Sequence, residues 1–347
     1  MIDELMLNII SKIPFGITGM LILIGIIVVC LATLGKGADM LVDEAVTLSY
    51  KWGVPKMLIG ATIVSLGTTL PEVTVSVVSA LQGFPDLAMG NAVGSIICDT
   101  GLILGVAALI NPLPFKKEVV NRQSWIQFAA GVLLVLTAFI FGKGFSAFST
   151  GGRIPQSVGW FFLALLALYI YNTIRQAKNG TLDEHTEELE VDDSSTAMVL
   201  LKLFIGIALV ILSSKVLIPT VQETAFRLHI PETIIAATLV AFGTSLPELI
   251  TAVTATRKGY GDLAIGNVLG ADILNVLFVV GAAASVTKGG LTVDVHFFKL
   301  LFPAMLFVLI VCKLAIAFSK EKLNRLVGAI LLAAYLLVTI LSYTVSS

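Results

Sequence analysis

The chain has 347 residues, with 22 Lys and Arg set against 23 Asp and Glu; 57% of it is hydrophobic and only 13% charged, for a mean hydropathy of +0.97. Soluble domains run at about a quarter charged, so this composition excludes one, and the lack of a basic stripe excludes a nucleic-acid binder. It predicts an integral, multi-pass protein embedded in the lipid bilayer of the cell membrane.

A spanning helix needs about 20 mainly apolar residues. In chain order that yardstick finds segments near 17–34, 55–82, 87–110, 122–142, 157–174, 198–218, 232–256, 262–286, 297–318 and 325–344. Before the first of them, "MIDELMLNIISK" carries Asp3 and Glu4 where a secretory signal needs positive charge, so the first span is expected to be retained. "GKGADMLVDEAVTLSYKWGVP" follows it, with helical spacing and a Gly-Val-Pro stop, and fits an interfacial helix or an extension of the first span. The loop "NGTLDEHTEELEVDDSST" (179–196) is acidic and nearly devoid of apolar residues, as in a solvated linker; a weak cation sensor is the alternative, without the Gly-centred spacing of a calcium loop. With the N-terminus outside, about 15 basic residues fall inside and about 7 outside, so both termini are expected to face out. Cys30, Cys98 and Cys312 lie in apolar runs at unrelated spacings and read as buried thiols.

The chain repeats itself. Shifted by 176 positions, residues 60–108 fall on 236–284 with about 20 identities in 49, including Gly67/Gly243, Pro71/Pro247, Glu72/Glu248, Asn91/Asn267 and Gly94/Gly270. Each half holds five spans, an odd number, so the second half must enter the membrane in the opposite sense. The expected fold class is therefore an all-α membrane protein of ten transmembrane helices, arranged as two inverted-topology five-helix repeats. Residues 1–178 form the first half, 179–196 the acidic linker and 197–347 the second half.

Inverted repeats with interrupted helices characterise secondary transporters that bind substrate near the midplane. The interruptions are legible in "GTTLPE" (67–72) and "GTSLPE" (243–248). Pro71 and Pro247 lack the N–H that would bond the Gly67 and Gly243 carbonyls, and backbone freed inside a membrane must line a cavity. Thr68 and Glu72 are four residues apart, as are Thr244 and Glu248. In the third span Asn91, Ser95 and Asp99 form an i, i+4, i+8 row; in the eighth the row reads Asn267, Ala271, Asn275, and Asp272 adds a carboxylate about 60° round from Asn275. All these donors are oxygens, the set that hard cations such as calcium or sodium take, whereas zinc or copper would call for His or Cys. An acid at a helix centre costs about 2.5–3.5 kcal/mol on insertion scales, which argues against a purely structural role for Glu72 and Glu248. Asp86 and Asp262 are expected to be helix N-caps; Asn91 and Asn267 either bond neighbouring helices or also ligate.

The paired "GT[ST]LPE" boxes, each followed by "D-L-A-x-G-N-x-x-G", resemble the alpha repeats of the calcium/cation antiporter superfamily, in its sodium/calcium exchanger branch. The resemblance implies ion sites on the second, third, seventh and eighth helices, export of calcium against inward sodium, and no cofactor. It makes Glu72 and Glu248 the principal carboxylates, with Thr68, Thr69, Thr244, Ser245, Ser95, Asp99, Asn275 and neighbouring carbonyls as lesser ligands. Ala271 stands where the family commonly has serine and Asp272 where it commonly has asparagine. Gly94 and Gly270 occupy the place where proton-coupled relatives carry glutamate. Asp99 opposite Asn275 leaves potassium dependence open, so potassium- or proton-coupled exchange is the alternative. Alternating access is expected through sliding of the first and sixth spans past the other helices. A cation channel and an intramembrane aspartyl protease, suggested by "GYGD" at 259–262, are remote alternatives.

Overall fold

The computed structural model describes residues 10, 12–142, 144–178, 195–228 and 243–346. The acidic linker up to residue 194, and residues 229–242 at the front of the second repeat, lie outside them.

The described chain is helical apart from two very short strand pairs. α1 (Ile17–Trp52) is one continuous helix of 36 residues, so the segment after the first apolar run extends the first span. At 1.5 Å per residue it is about 54 Å long, well beyond a hydrocarbon core of about 30 Å. Gly53 ends it with φ +62°, the left-handed turn that glycine takes without strain. α2 (Lys56–Thr68) and α3 (Leu70–Leu81) meet at a 44° bend, at the site where Pro71 interrupts the ladder. Then come α4 (Pro85–Ile110), α5 (Lys117–Phe141), α6 (Gln156–Lys178), α7 (Thr196–Arg227), α8 (Leu246–Arg257), α9 (Gly261–Val286), α10 (Phe297–Phe318) and α11 (Arg325–Ser346).

Seven of the described helices are long and apolar enough to cross a membrane, or eight if the bent α2–α3 pair is one span, and α11 is a shorter apolar helix. Their packing is inside-out relative to a soluble protein. Ile17, Leu21, Val28 and Val29 of α1, Leu136 and Ile140 of α5 and Leu336 and Leu337 of α11 are exposed, while Glu72, Asp99, Glu248 and Asp272 are buried. The apolar stretches of α9 and α4 are 94% and 78% buried, against 22–39% for the other long helices. These two therefore form the centre of the bundle, with the bent α2–α3 pair and α8 packed on them.

Close approach at the centre is made by glycines. A Cβ on Gly266 of α9 would come 2.1 Å from the Met57 carbonyl oxygen, and one on Gly60 would come 2.6 Å from the Leu263 carbonyl oxygen. α1 and α7 cross in the same way, since a Cβ on Gly206 would lie 2.8 Å from the Leu41 nitrogen. Small residues at such crossings are what membrane helices use in place of a hydrophobic drive to associate.

The strand pairs tie loops together. Leu113–Pro114, after α4, pairs antiparallel with Lys322–Leu323, after α10; Gly152–Ile154, after α5, pairs with Leu291–Val293, after α9. All three cysteines are buried and free.

Asp86 and Asp262 are not N-caps. The cap residues are Phe84 and Tyr260, and each aspartate is the second residue of its helix. Pro85 already has the φ of a helix, so the helix starts on it and pushes Asp86 into the first turn, where its charge still faces the positive helix end. The Asp86 carboxylate accepts from the Asp294 backbone N–H at 3.3 Å.

Candidate cation site

Glu72 and Glu248 each sit in the first turn of a half-helix, α3 and α8, whose second residue is its proline. The sequence therefore uses Pro-Glu for two purposes. The proline interrupts the preceding ladder and fits the first turn of the next helix, where its missing N–H would have had no intrahelical partner; the glutamate then lies at the positive end of that helix's dipole. Both acids are 1% exposed.

The hydroxyls cross between repeats. Thr244, of the second box, lies against the Glu72 carboxylate, while Thr68 and Thr69, of the first box, lie against Glu248. Ser245 lies against Asp99 of α4. Glu72 interacts electrostatically with both Glu248 and Asp99, and Asp99 with Glu248 and Asp272. The three acids Glu72, Glu248 and Asp99 and the four hydroxyl residues thus form one buried cluster.

The two asparagines brace it. Asn91 Nδ2 donates to the Glu72 carbonyl at 3.1 Å and to Ser76 Oγ at 3.0 Å, and its Oδ1 accepts from Thr244 at 3.2 Å. Asn267 Oδ1 is 3.5 Å from the Thr68 hydroxyl, a long contact, and its Nδ2 has no partner. Both asparagines therefore reach across to the threonine of the opposite repeat. The contact differs because the repeat mate of Ser76 is Ala252, which leaves the second amide without the hydroxyl that the first one bonds.

A feature that the sequence reading missed is a pair of π turns. The helix of α4 widens over Cys98–Ile103, and that of α9 over Asn275–Val280, so Asp99 and Asn275 lie in matched distortions of matched helices. The turn that carries Asp99 packs on α8, and the one that carries Asn275 packs on α3. π turns concentrate at functional sites because one extra residue per turn disturbs the i→i−4 ladder. A third π turn, Gly60–Val64, has its Ala61 carbonyl bonded by the Tyr169 hydroxyl at 3.1 Å.

Ser95 is buried one turn before Asp99. Asp272 departs from the cluster: one of its oxygens, Oδ2, accepts from both Thr100 and Gln127. Gly67 and Gly243 lie under Ile207 and Ile218 of α7. Gln127 and Thr100 were not singled out from the sequence, although Gln123 and Gln127, four residues apart on an apolar span, are the polar pattern by which membrane helices bond one another.

Buried atoms without a hydrogen-bond partner include both Glu72 carboxylate oxygens, Asp99 Oδ1, Glu248 Oε2, Asp272 Oδ1, Asn275 Oδ1, Thr69 Oγ and Ser245 Oγ. Each costs about 1–3 kcal/mol unless something pairs with it. Among the described residues no three His, Cys, Asp or Glu side chains converge to hold a metal by themselves. Any cation here must therefore draw on hydroxyl and amide oxygens as well as carboxylates, which suits hard ions and disfavours zinc or copper.

Helices that bury acids and expose aliphatic side chains, with an oxygen-only cluster at the bundle centre, define a multi-pass membrane protein with a donor set for hard cations. The chain belongs to the sodium/calcium exchanger protein family, whose model matches residues 22–175 and 198–344; this is a family of exchangers, not of enzymes. The chain is 34% identical over 333 residues to the inner membrane protein YrbG of Escherichia coli, covering 94% of this chain and 98% of YrbG. It is 30% identical to the sodium/calcium exchanger MaX1 of Methanosarcina acetivorans, over 74% of this chain and 81% of that one. Its fold is similar to a structure of the sodium-calcium exchanger NCX_Mj soaked with 10 mM Na+ and zero Ca2+, with a TM-score of 0.75 and 26% identity over 92% of this chain and 98% of that one.

Proposed function

We propose that the chain is an antiporter of the cell membrane that exchanges calcium for sodium by alternating access, with ions bound between the second, third, seventh and eighth of the spans expected from the sequence. The observation that carries this reading is the crossed placement of Glu72 and Glu248. Each is a buried acid at the start of a half-helix, with hydroxyl-bearing residues of the opposite repeat beside it. Glu72 and Glu248 are the principal ligands, with Thr68, Thr69, Thr244, Ser245, Ser95, Asp99, Asn275 and freed carbonyls near Gly67 and Gly243 as the lesser ones.

The ten-span, inverted-repeat architecture is part of this proposal, with halves at 1–178 and 197–347 joined by the 179–196 linker and with both termini outside. The strand pairing supports it. Ile154 and Leu291 are partners across one pair, which requires an even number of crossings between them. The proposed ten-span arrangement, with four crossings between those residues, meets that requirement. Helix ends agree with this: Arg227 at the end of α7 donates to the carbonyls of Pro14 and Ile13 before α1, each at 2.8 Å, while Lys258 after α8 pairs with Asp43 near the other end of α1, also at 2.8 Å.

α1 and α7 are the moving pair. They pack along each other, their Gly37 and Gly206 touch, and Lys202 pairs with Glu44 at 3.4 Å. Gly67 and Gly243, beside the two breaks, both face α7. Charge enforces coupling. Carrying two bare carboxylates through an occluded state would cost roughly 5–7 kcal/mol on insertion scales, making that passage about 10³–10⁵ times rarer than the neutralised one.

A carrier and a channel with this donor set differ in one measurement. Proteoliposomes loaded with unlabelled calcium are expected to take up calcium-45 from outside without any sodium present, with saturation as external calcium rises. Uptake that does not saturate and is indifferent to internal calcium would make the protein a channel.

A further inference from the structure

Asp272 is a buried acid whose geometry the crossed cluster does not account for. It is 2% exposed. Its Oδ2 accepts from Thr100 Oγ and from Gln127 Nε2, and Gln127 Nε2 also lies 2.9 Å from Thr100 Oγ. The three side chains come from α9, α4 and α5 and form a closed triangle.

Both donors fall on Oδ2, which holds Oδ1 in a fixed direction. Oδ1 is buried and has no partner, and among the described residues no ion pair involves Asp272. Two neighbouring residues, Asp99 and Asn275, also carry an unpartnered buried Oδ1. Both stand in the π turns of α4 and α9, and Asp99 is within electrostatic reach of Asp272.

The triangle breaks the repeat. The 176-residue mate of Asp272 is Ile96 and that of Thr100 is Val276, so the first half holds no equivalent. The symmetric cluster of Glu72, Glu248 and their hydroxyls does not include it. Evenly distributed calcium coordination takes six to eight oxygens with several carboxylates. One directed carboxylate oxygen with an amide and a shared carboxylate is a weaker field, suited to an ion of single charge.

We propose that Asp272, oriented by Thr100 and Gln127, anchors a monovalent-cation position beside the central carboxylates, filled by sodium in the sodium-loaded form. This rests on the reading of the chain as a sodium/calcium exchanger. It gives the chain one sodium more than the symmetric cluster alone would hold.

The test is equilibrium binding of sodium-22 to the purified full-length protein in detergent, alongside sodium-driven calcium flux by the wild type from the same preparation. The flux checks the exchanger reading independently. Wild type is expected to bind one sodium per chain more than Asp272→Asn, and Asp272→Glu to retain the wild-type number. An equal number in wild type and Asp272→Asn overturns the position. So does an equal number together with one extra proton taken up by wild type between pH 5 and 8, which would make Asp272 a proton carrier. Should Asp272→Asn not fold, Thr100→Val removes one donor while keeping the shape. It is expected to raise the sodium concentration that fills the last position by about tenfold, the effect of losing one hydrogen bond to a charged group; an unchanged isotherm overturns the position.

Discussion

Glu72→Gln or Glu248→Gln is expected to abolish sodium-driven calcium uptake while leaving the folded protein intact. Glutamine keeps the shape and one oxygen of the side chain but removes a charge from a site whose cation affinity depends on ligand charge, so calcium affinity should fall roughly 100-fold or more. The effect on stability has the opposite sign. Both oxygens of Glu72 are buried without a partner, and the acid faces the charges of Glu248 and Asp99. Relieving that repulsion should leave the ion-free melting temperature unchanged or higher. Calcium stabilises a protein that binds it by about 2.7 kcal/mol at 100 times its dissociation constant, so the wild-type melt should rise on adding calcium and the variants' melts should not. A variant that still transports, or still gains stability from calcium, would remove that glutamate from the site.

Gly266→Leu should prevent the helices from assembling. A side chain there would meet the Met57 carbonyl oxygen at 2.1 Å from its first carbon, and the obstacle is backbone, which cannot rotate away. Overpacking typically costs about 1–3 kcal/mol, and here it would separate α9 from α2 next to Asn267, three turns or fewer from Asp272 and Asn275. Even Gly266→Ala should lower the melting temperature by several degrees. Gly25 in α1 has nothing within 4 Å of an added Cβ, and Gly25→Ala should be neutral or slightly stabilising, since alanine favours a helix by about 1 kcal/mol. Equal melts for the two alanine variants would contradict the packing described.

How much of this was legible in the sequence depends on the kind of signal. Apolar length located individual helices: the 55–82 segment is α2 and α3, and 87–110 is α4, because a membrane helix is specified by composition over many residues. The Pro71 break was legible because proline acts locally. The π turns at Cys98 and Asn275 were not, since one extra residue in a turn alters no residue type. Asp86 lies two positions past the cap because Pro85, not the acid, decides where its helix begins. The partners of Glu72 and Glu248 were also hidden. Spacing put Thr68 four residues from Glu72, whereas in the folded chain Thr68 and Thr69 lie beside Glu248 and Thr244 lies beside Glu72. Contacts between halves are a property of the packed bundle. The Asp272 triangle belongs to the same class, since Gln127 is 145 residues away in the chain.

The most direct test is calcium flux into proteoliposomes containing the wild-type protein, with sodium, potassium and proton gradients imposed one at a time. An outward sodium gradient alone should drive calcium accumulation against its own gradient, and collapsing that gradient should release it. Accumulation driven only by protons or potassium, or calcium movement that never runs uphill under sodium, would contradict the account.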